Sequence, residues 1–280
     1  MHAQQPDGIT AGDSNSATHA DELVLGANQY GKAEVRLVHV DRSAPRHRLT
    51  DLSVTSQLHG DFTRAHTHGD NAAVVTTDTQ KNTVFALARG GTGSPEAFGI
   101  RLADHFTSSF DWVTGGRWVI ESYTWDHIPT TRTAHASGGR HEHSFVRGGT
   151  ETRTAVVHRE QGRTVVFAGL RDLAVLKTTG SEFHGFPNDR FTTLAETRDR
   201  ILATSVTARW RYIDVPGEEG SDDRGTIAPD FDARYERVRN LLLETFADVH
   251  SLALQQTLYE MGRAVLAEVE QIAEIRLSMP

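Results

Sequence analysis

The chain has 280 residues, enough to bury a sizeable core as one large or two small domains. Its 38% hydrophobic and 24% charged composition is that of a soluble globular protein, and no apolar run approaches the ~20 residues that cross a bilayer. A formal charge of −8 argues against a nucleic-acid partner, and zero cysteines exclude disulfides and thiol catalysis and fit a cytoplasmic protein. With that net charge, any anionic ligand must be drawn in by local cations.

Residues 1–22 hold almost no large apolar side chains and are predicted to be a disordered tail. No basic-then-apolar leader opens the chain. His2 and His19 in this tail have no defined neighbours.

Val35 to Val40 read as a strand on β-branched content, with apolar residues on both faces that predict cover on both sides. After the breakers Asp41 to Pro45, Leu52, Val54 and Leu58 keep the period of two of a partner strand.

Thr77-Asp-Thr-Gln80 has the pattern of a capping box, with Thr77 as N-cap of a helix running to about Arg89. Ser94-Pro95-Glu96 opens a second helix, whose apolar face is Phe98, Leu102, Phe106 and Phe110. Strands follow near Arg117 to His127 and Glu151 to Arg159. The first half thus reads strand, strand, helix, helix, strand, strand.

The second half starts alike, with strands over Val165 to Thr179 and Leu202 to Asp214, the latter alternating Ala208, Trp210 and Tyr212. Pro216 to Pro229 reads as an exposed loop. Helices over about Asp232 to Ala247 and Ser251 to Glu268 precede a strand at Ile272 to Met279. Val238, Leu241 and Leu242 face inward on the first of these helices, with Tyr235 and Phe246. The repeated order suggests an internal duplication of architecture.

Between the second half's first two strands lies the most informative stretch, Leu173 to Arg200. It turns at Gly180 and at Gly185-Phe186-Pro187, and a short amphipathic piece carrying Leu194 is expected before Arg200. Phe183 offers a face for stacking a flat ring, and Arg200 a planar fork of donors for an anionic edge.

Phe183, Phe186, Phe191, Leu194 and Arg200 follow the spacing F-x2-F-x4-F-x2-L-x5-R after V-L-K-T-T-G-S. This resembles the signature of the urate oxidase (uricase) family. Asn28-Gln-Tyr-Gly-Lys32 with its following VRL, Thr77 to Thr83, His143-Ser-Phe145 and Leu254 to Met261 resemble the same family, in the same order. The similarity extends from about Leu25 to the last residue.

The resemblance implies an α+β protein of tandem tunnelling-fold (T-fold) domains, here residues 23–161 and 162–280. Antiparallel sheets with helices on the outer face would assemble into a homotetrameric barrel with active sites between subunits. It implies oxidation of urate by dioxygen and water to 5-hydroxyisourate and hydrogen peroxide, with no metal or organic cofactor. Residue by residue, Arg200 would grip one purine edge and Gln255 would read the adjacent one. Leu254 and Asp78 would offer backbone amides, and Phe183 would stack on the ring. Lys32 and Thr77 would relay protons, with Thr77 also touching substrate from a different subunit than Arg200. His143 would support the substrate pocket or a subunit contact.

Family members continue from the Ser-x-Pro at Ser278 to Pro280 into an Asn-x-His segment and a closing strand. For the chain as given, the resemblance therefore implies urate binding with much weakened turnover unless that segment follows. Two alternatives stand beside this one. His66-x-His68 and His141-x-His143 have metal-site spacing, which admits a zinc-dependent T-fold enzyme on a pterin-like substrate. A non-catalytic urate-binding relative is the other.

Overall fold

A computed structural model of the chain describes residues 24–132, 135–213, 215 and 230–280. The expected tail over residues 1–22 and the whole of the expected loop over residues 216–229 lie outside the described residues.

The elements in chain order are β1 (Tyr30–Asp41), β2 (Arg48–Gly60), α1 (Thr63–His68), α2 (Thr77–Ala88), α3 (Pro95–Ser109), β3 (Val113–Pro129), β4 (Ala136–Ser137), β5 (Arg140–Glu160), β6 (Arg163–Lys177), β7 (Leu202–Tyr212), α4 (Phe231–Asp248), α5 (Leu254–Glu268) and β8 (Ile272–Ser278). The strands form one antiparallel sheet in the order β1-β2-β3-β5-β6-β7-β8, with β4 paired to β5. The α+β class read from the sequence is the one observed.

Register explains why one face is the core. Val35, Val54, Ile120, Ala155, Ala168, Trp210 and Ile275 are successive cross-strand partners from one sheet edge to the other. Side chains alternate along a strand, so this row lies on one face, and all but Ile275 are buried. The adjacent row is Arg36, Ser53, Glu121, Thr154, Gly169, Arg209 and Arg276, on the opposite face. Helices cover only the apolar side: α2 packs on β1, α3 on β3, β5 and β6, α4 on β6, and α5 on β8. Gly99 lets α3 approach, because a Cβ there would sit 2.6 Å from Val157 Cγ2.

The expected cover on both sides of the first strand is corrected here. Val35 and Leu37 are buried, but Val38 on the helix-free face is 58% exposed. α1 was not anticipated at all; it buries no residue of its own and is six residues long. The α3 start is as read, with Ser94 Oγ accepting from the Ala97 N–H and Pro95 in the first turn. On α4 the five anticipated side chains are all buried.

Candidate active site

Two groups of candidate residues form, at distant parts of the sheet. In the first, β1 carries Lys32 opposite Ser56, and a bulge follows before Val35, with Glu34 at φ 54°. Gly31 permits this approach to β2, since a Cβ there would lie 1.7 Å from the Ser56 carbonyl oxygen. The Tyr30 hydroxyl donates to the Val75 carbonyl at 3.0 Å, tying β1 to the turn that starts α2.

That turn corrects the capping assignment. The N-cap is Thr76, whose Oγ1 accepts from the Thr79 N–H at 3.0 Å, and Thr77 is the first helical residue. Its hydroxyl is therefore not spent on the cap. Gln80 is fully buried and donates to the Val75 carbonyl at 3.3 Å, so it braces the turn instead of closing a capping box. The Asp78 carboxylate takes Lys81 Nζ at 2.5 Å and Asn82 Nδ2 at 2.9 Å. The Lys81 bond holds that carboxyl below the usual range, and the Lys32 charge adds to the effect. Thr77 and Asp78 thus open the helix, with the Lys32 charge in electrostatic reach of Asp78, at an N-terminus whose backbone N–H groups and dipole favour an anion.

The second group is built on the extended segment Ser181 to Phe183. On one side Phe183 exchanges backbone hydrogen bonds with Thr197 at 2.8 and 3.0 Å, and the Ser181 carbonyl accepts from the Arg200 N–H at 2.8 Å. On the other side the Glu182 N–H donates to the Ser251 carbonyl at 2.8 Å, and the Ser251 N–H to Gly180 at 2.9 Å. Three residues of chain therefore position Phe183 directly, Arg200 through one edge, and the start of α5 through the other.

Arg200 Cζ stands 5.0 Å from the Phe183 ring centroid. Arg200 Nε is buried with no hydrogen-bond partner among the described residues. A buried unpaired donor on a cation is costly and fits a site built for an anionic acceptor. Phe186 lies against Phe183, centroids 4.9 Å apart and planes at 18°. Leu254 and Gln255 are the first two helical residues of α5, whose N-cap is Ala253 with no capping side chain. The amides of that first turn have no acceptor within the helix. The expected amphipathic piece around Leu194 does not form: residues 193–196 hold neither helix nor strand, and Leu194 is 57% exposed.

The two groups are far apart within one chain. Register places Lys32 in a row with Ser56, Trp118, Val157 and Val166, whereas the loop bearing Phe183 leaves β6 after Lys177. The eleven residue steps from Val166 to Lys177 span roughly 35 Å of extended strand, and the two edges of the sheet are separated as well.

The histidine pairs are otherwise engaged. His66 Nδ1 is 2.9 Å from the Phe62 carbonyl, and His68 Nδ1 is 2.6 Å from Thr67 Oγ1. The His141 and His143 rings meet edge to face at 4.5 Å, with His135 5.3 Å from His143. Among the described residues no group of three His, Cys, Asp or Glu side chains could hold a metal ion. No described helix is long and apolar enough to cross a membrane.

Fold and site together define an α+β protein in which a guanidinium stands over a phenylalanine ring beside the first turn of a helix. Comparison with known proteins makes the class specific. The family model described as Uricase matches residues 28–158 and 166–280. The uricase of Arthrobacter globiformis is 55% identical over 259 residues, covering 92% of this chain and 78% of that protein. The uricase of Emericella nidulans is 35% identical over 260 residues, covering 91% of this chain and 83% of that one. The crystal structure of the Arthrobacter globiformis uricase superposes with a TM-score of 0.81, covering 92% of this chain and 83% of that one. Bacillus sp. TB-90 urate oxidase, at 23% identity, shares the fold with a TM-score of 0.73 over 89% of this chain and 87% of its own. The chain belongs to the uricase family, and its fold is the tunnelling fold.

Proposed function

We propose that this protein is a urate oxidase, converting urate, dioxygen and water to 5-hydroxyisourate and hydrogen peroxide. The observation that carries the site assignment is the buried, unpartnered Nε of Arg200 beside the Phe183 ring. A urate anion would lie over Phe183, accept two parallel bonds from the guanidinium, and present its neighbouring lactam edge to the Gln255 amide, which both donates and accepts. The uncapped amides of Leu254 and Gln255 add donors on the same side.

Protons would move at Lys32. Its ammonium lies near the Asp78 carboxylate at the α2 N-terminus, and the Thr77 hydroxyl beside it can accept a proton from one partner while donating to another. The Asp78 side chain is occupied by Lys81 and Asn82, so its contribution is its backbone N–H. Cofactor independence is what the family resemblance carries.

Two copies must meet for these groups to share one substrate, because roughly 35 Å of strand along β6 and the width of the sheet lie between them in one chain, several times the length of a purine. We place Lys32, Thr77 and Asp78 of one subunit against Phe183, Arg200, Leu254 and Gln255 of another, in a homotetramer whose tandem units span residues 23–161 and 162–280. The zero cysteines fit a cytoplasmic setting.

Complementation tests the split site. Lys32→Ala should lower kcat and Arg200→Gln should raise KM, each alone leaving little turnover in an assay that follows urate loss with peroxide release. Co-assembled in equal amounts, the two variants should regain about a quarter of wild-type activity, because half the pairs are mixed and each mixed pair holds one intact site of two. No recovery in verified mixed oligomers would refute a site shared between copies.

A further inference from the structure

We propose that Glu182 is the positioning residue of the purine clamp, its carboxylate fastening together the chain segments that carry Phe183, Arg200 and Gln255. The proposal rests on the reading that those three residues bind urate.

Extended residues alternate sides, so the Glu182 side chain leaves the segment opposite to Phe183. There it meets groups from each neighbouring segment. Its Oε1 lies 2.5 Å from His250 Nε2, on the approach to α5. Its Oε2 lies 2.9 Å from His184 Nε2, beyond Phe183. Arg198, two residues before Arg200, brings Nη1 to 3.9 Å from the same oxygen. The nearby acids are committed elsewhere: Glu196 Oε1 accepts from the Gly185 N–H at 2.9 Å, and Asp199 Oδ1 from the Thr179 hydroxyl at 2.8 Å. Among the described residues Glu182 is therefore the carboxylate shared by His184, Arg198 and His250.

The need for such a fastening follows from the backbone. The connection from Lys177 to Leu202 contains no helix and no named strand, and it turns through Gly180 at φ 73° and Gly185 at φ 75°. A handful of backbone hydrogen bonds would leave it free to open. The carboxylate adds side-chain links of the charge-assisted kind, which are shorter and stronger than neutral ones. The Glu182 side chain is only 14% exposed, so these links are partly shielded from water. The His250 hydrogen bond, opposed by burial and joined by the His184 bond, holds the carboxyl below its usual range, which keeps it ionised through neutral pH.

Within its own subunit Glu182 touches none of the proposed relay groups, and its carboxylate leaves the segment on the side away from Phe183, where substrate would lie. Its loss should therefore loosen binding and spare chemistry. Glu182→Ala should raise KM for urate, and the dissociation constant measured without oxygen, roughly tenfold, with kcat within about twofold. Glu182→Gln should recover part of the loss, since one amide oxygen can still accept from one histidine. In a His184→Ala, His250→Ala background, Glu182→Ala should add little, because the three act as a unit. If Glu182→Ala does not fold, His250→Ala carries the same test at a 56% exposed side chain and should show the same rise in KM.

An unchanged KM in Glu182→Ala, a fall in kcat alone, or losses that multiply with those of the histidine variants would each overturn the proposal. Arg200→Gln, run in parallel, separates the two inferences. Wild-type urate binding by Arg200→Gln sinks the purine site itself. Weakened binding there with normal binding by Glu182→Ala sinks only the fastening.

Discussion

Arg153 on β5 joins the two halves of the helical layer, and removing it should be among the most damaging single changes. Its Nη2 donates to Glu96 Oε2 at 2.7 Å, its Nη1 to Asp232 Oδ1 at 2.6 Å, and its Cζ lies 4.4 Å from the Tyr235 ring centroid. Glu96 belongs to α3 and is fully buried, while Asp232 belongs to α4 and is 65% exposed. The exposed pair contributes at most about 1 kcal/mol. The buried pair decides the outcome, because Arg153→Ala strands an acid in the core at a cost of about 3–5 kcal/mol. Unfolding entropy of ~2.1 cal/mol/K per residue converts that into a fall in Tm of about 5–8 °C for a chain of this length. Burial pushes the Glu96 carboxyl above its usual range, whereas the pair holds Arg153 more firmly protonated. These directions oppose each other, and the 2.7 Å contact decides for an ionised pair at neutral pH in the native protein. Without Arg153 the upward push of burial on Glu96 is opposed only by a hydrogen bond from its own backbone. A carboxyl raised in the folded state contributes stability below its unfolded value and loses it as pH rises through the folded one. The variant's deficit should therefore be larger at pH 8 than at pH 5. Calorimetry at fixed protein concentration reads both effects. Arg153→Met with Glu96→Gln should recover most of the loss. A deficit under about 1 kcal/mol, or one that shrinks with rising pH, would refute this reasoning.

Gly31→Ala should push β1 off β2 beside Lys32, since its Cβ would meet the Ser56 carbonyl at 1.7 Å; a loss of turnover with ~1–3 kcal/mol of destabilisation is expected, read by assay and thermal melt together. Lys177 Nζ donates to the Phe246 and Val249 carbonyls at the end of α4, so Lys177→Met, which keeps the aliphatic body by the Phe246 ring, should cost about 1–2 kcal/mol in denaturant unfolding. Ala253→Asp should cap α5 and raise stability by about 1 kcal/mol while weakening urate binding, because the new carboxylate competes with an anion for the same amides. Stronger binding by that variant would argue against the α5 N-terminus as part of the clamp.

Much of the fold was legible because its signals are local. Alternation in Ala208, Trp210 and Tyr212 follows from a strand with one covered face, and Ser94-Pro95 marks a helix start that needs nothing from the rest of the chain. What escaped depends on context. α1 has no buried side chain, so no periodicity could announce it. Thr76 and Thr77 are chemically equal candidates for an N-cap, and only the backbone decides between them. Val38 has the composition of a buried position, yet this chain leaves it open on the helix-free face. The first part of β5 extends a ribbon with β3, Trp125 opposite Arg147 and His127 opposite Phe145, where the alternation of a one-sided strand is missing.

The site divides along the same line. Residue types suited to a planar anion could be named from Phe183 and Arg200, and the resemblance added Gln255 and supplied the roles. Their support could not be named, because it comes from far along the chain: the Ser181 segment is completed by Ser251, and Glu182 by His250, 68 residues away. Both groups of candidate residues nonetheless follow one rule of construction. Each sits at the first turn of a helix, α2 for Thr77 and Asp78, α5 for Leu254 and Gln255, where unpaired amides already favour negative charge. At α2 the cap falls one residue early, on Thr76, which leaves the Thr77 hydroxyl available. At α5 the cap position is an alanine, which leaves the amides themselves available at a cost of about 1 kcal/mol to the helix. Of these two ends only that of α5 therefore lacks a capping side chain, and an anion held by its amides would supply the acceptor that Thr76 supplies to α2.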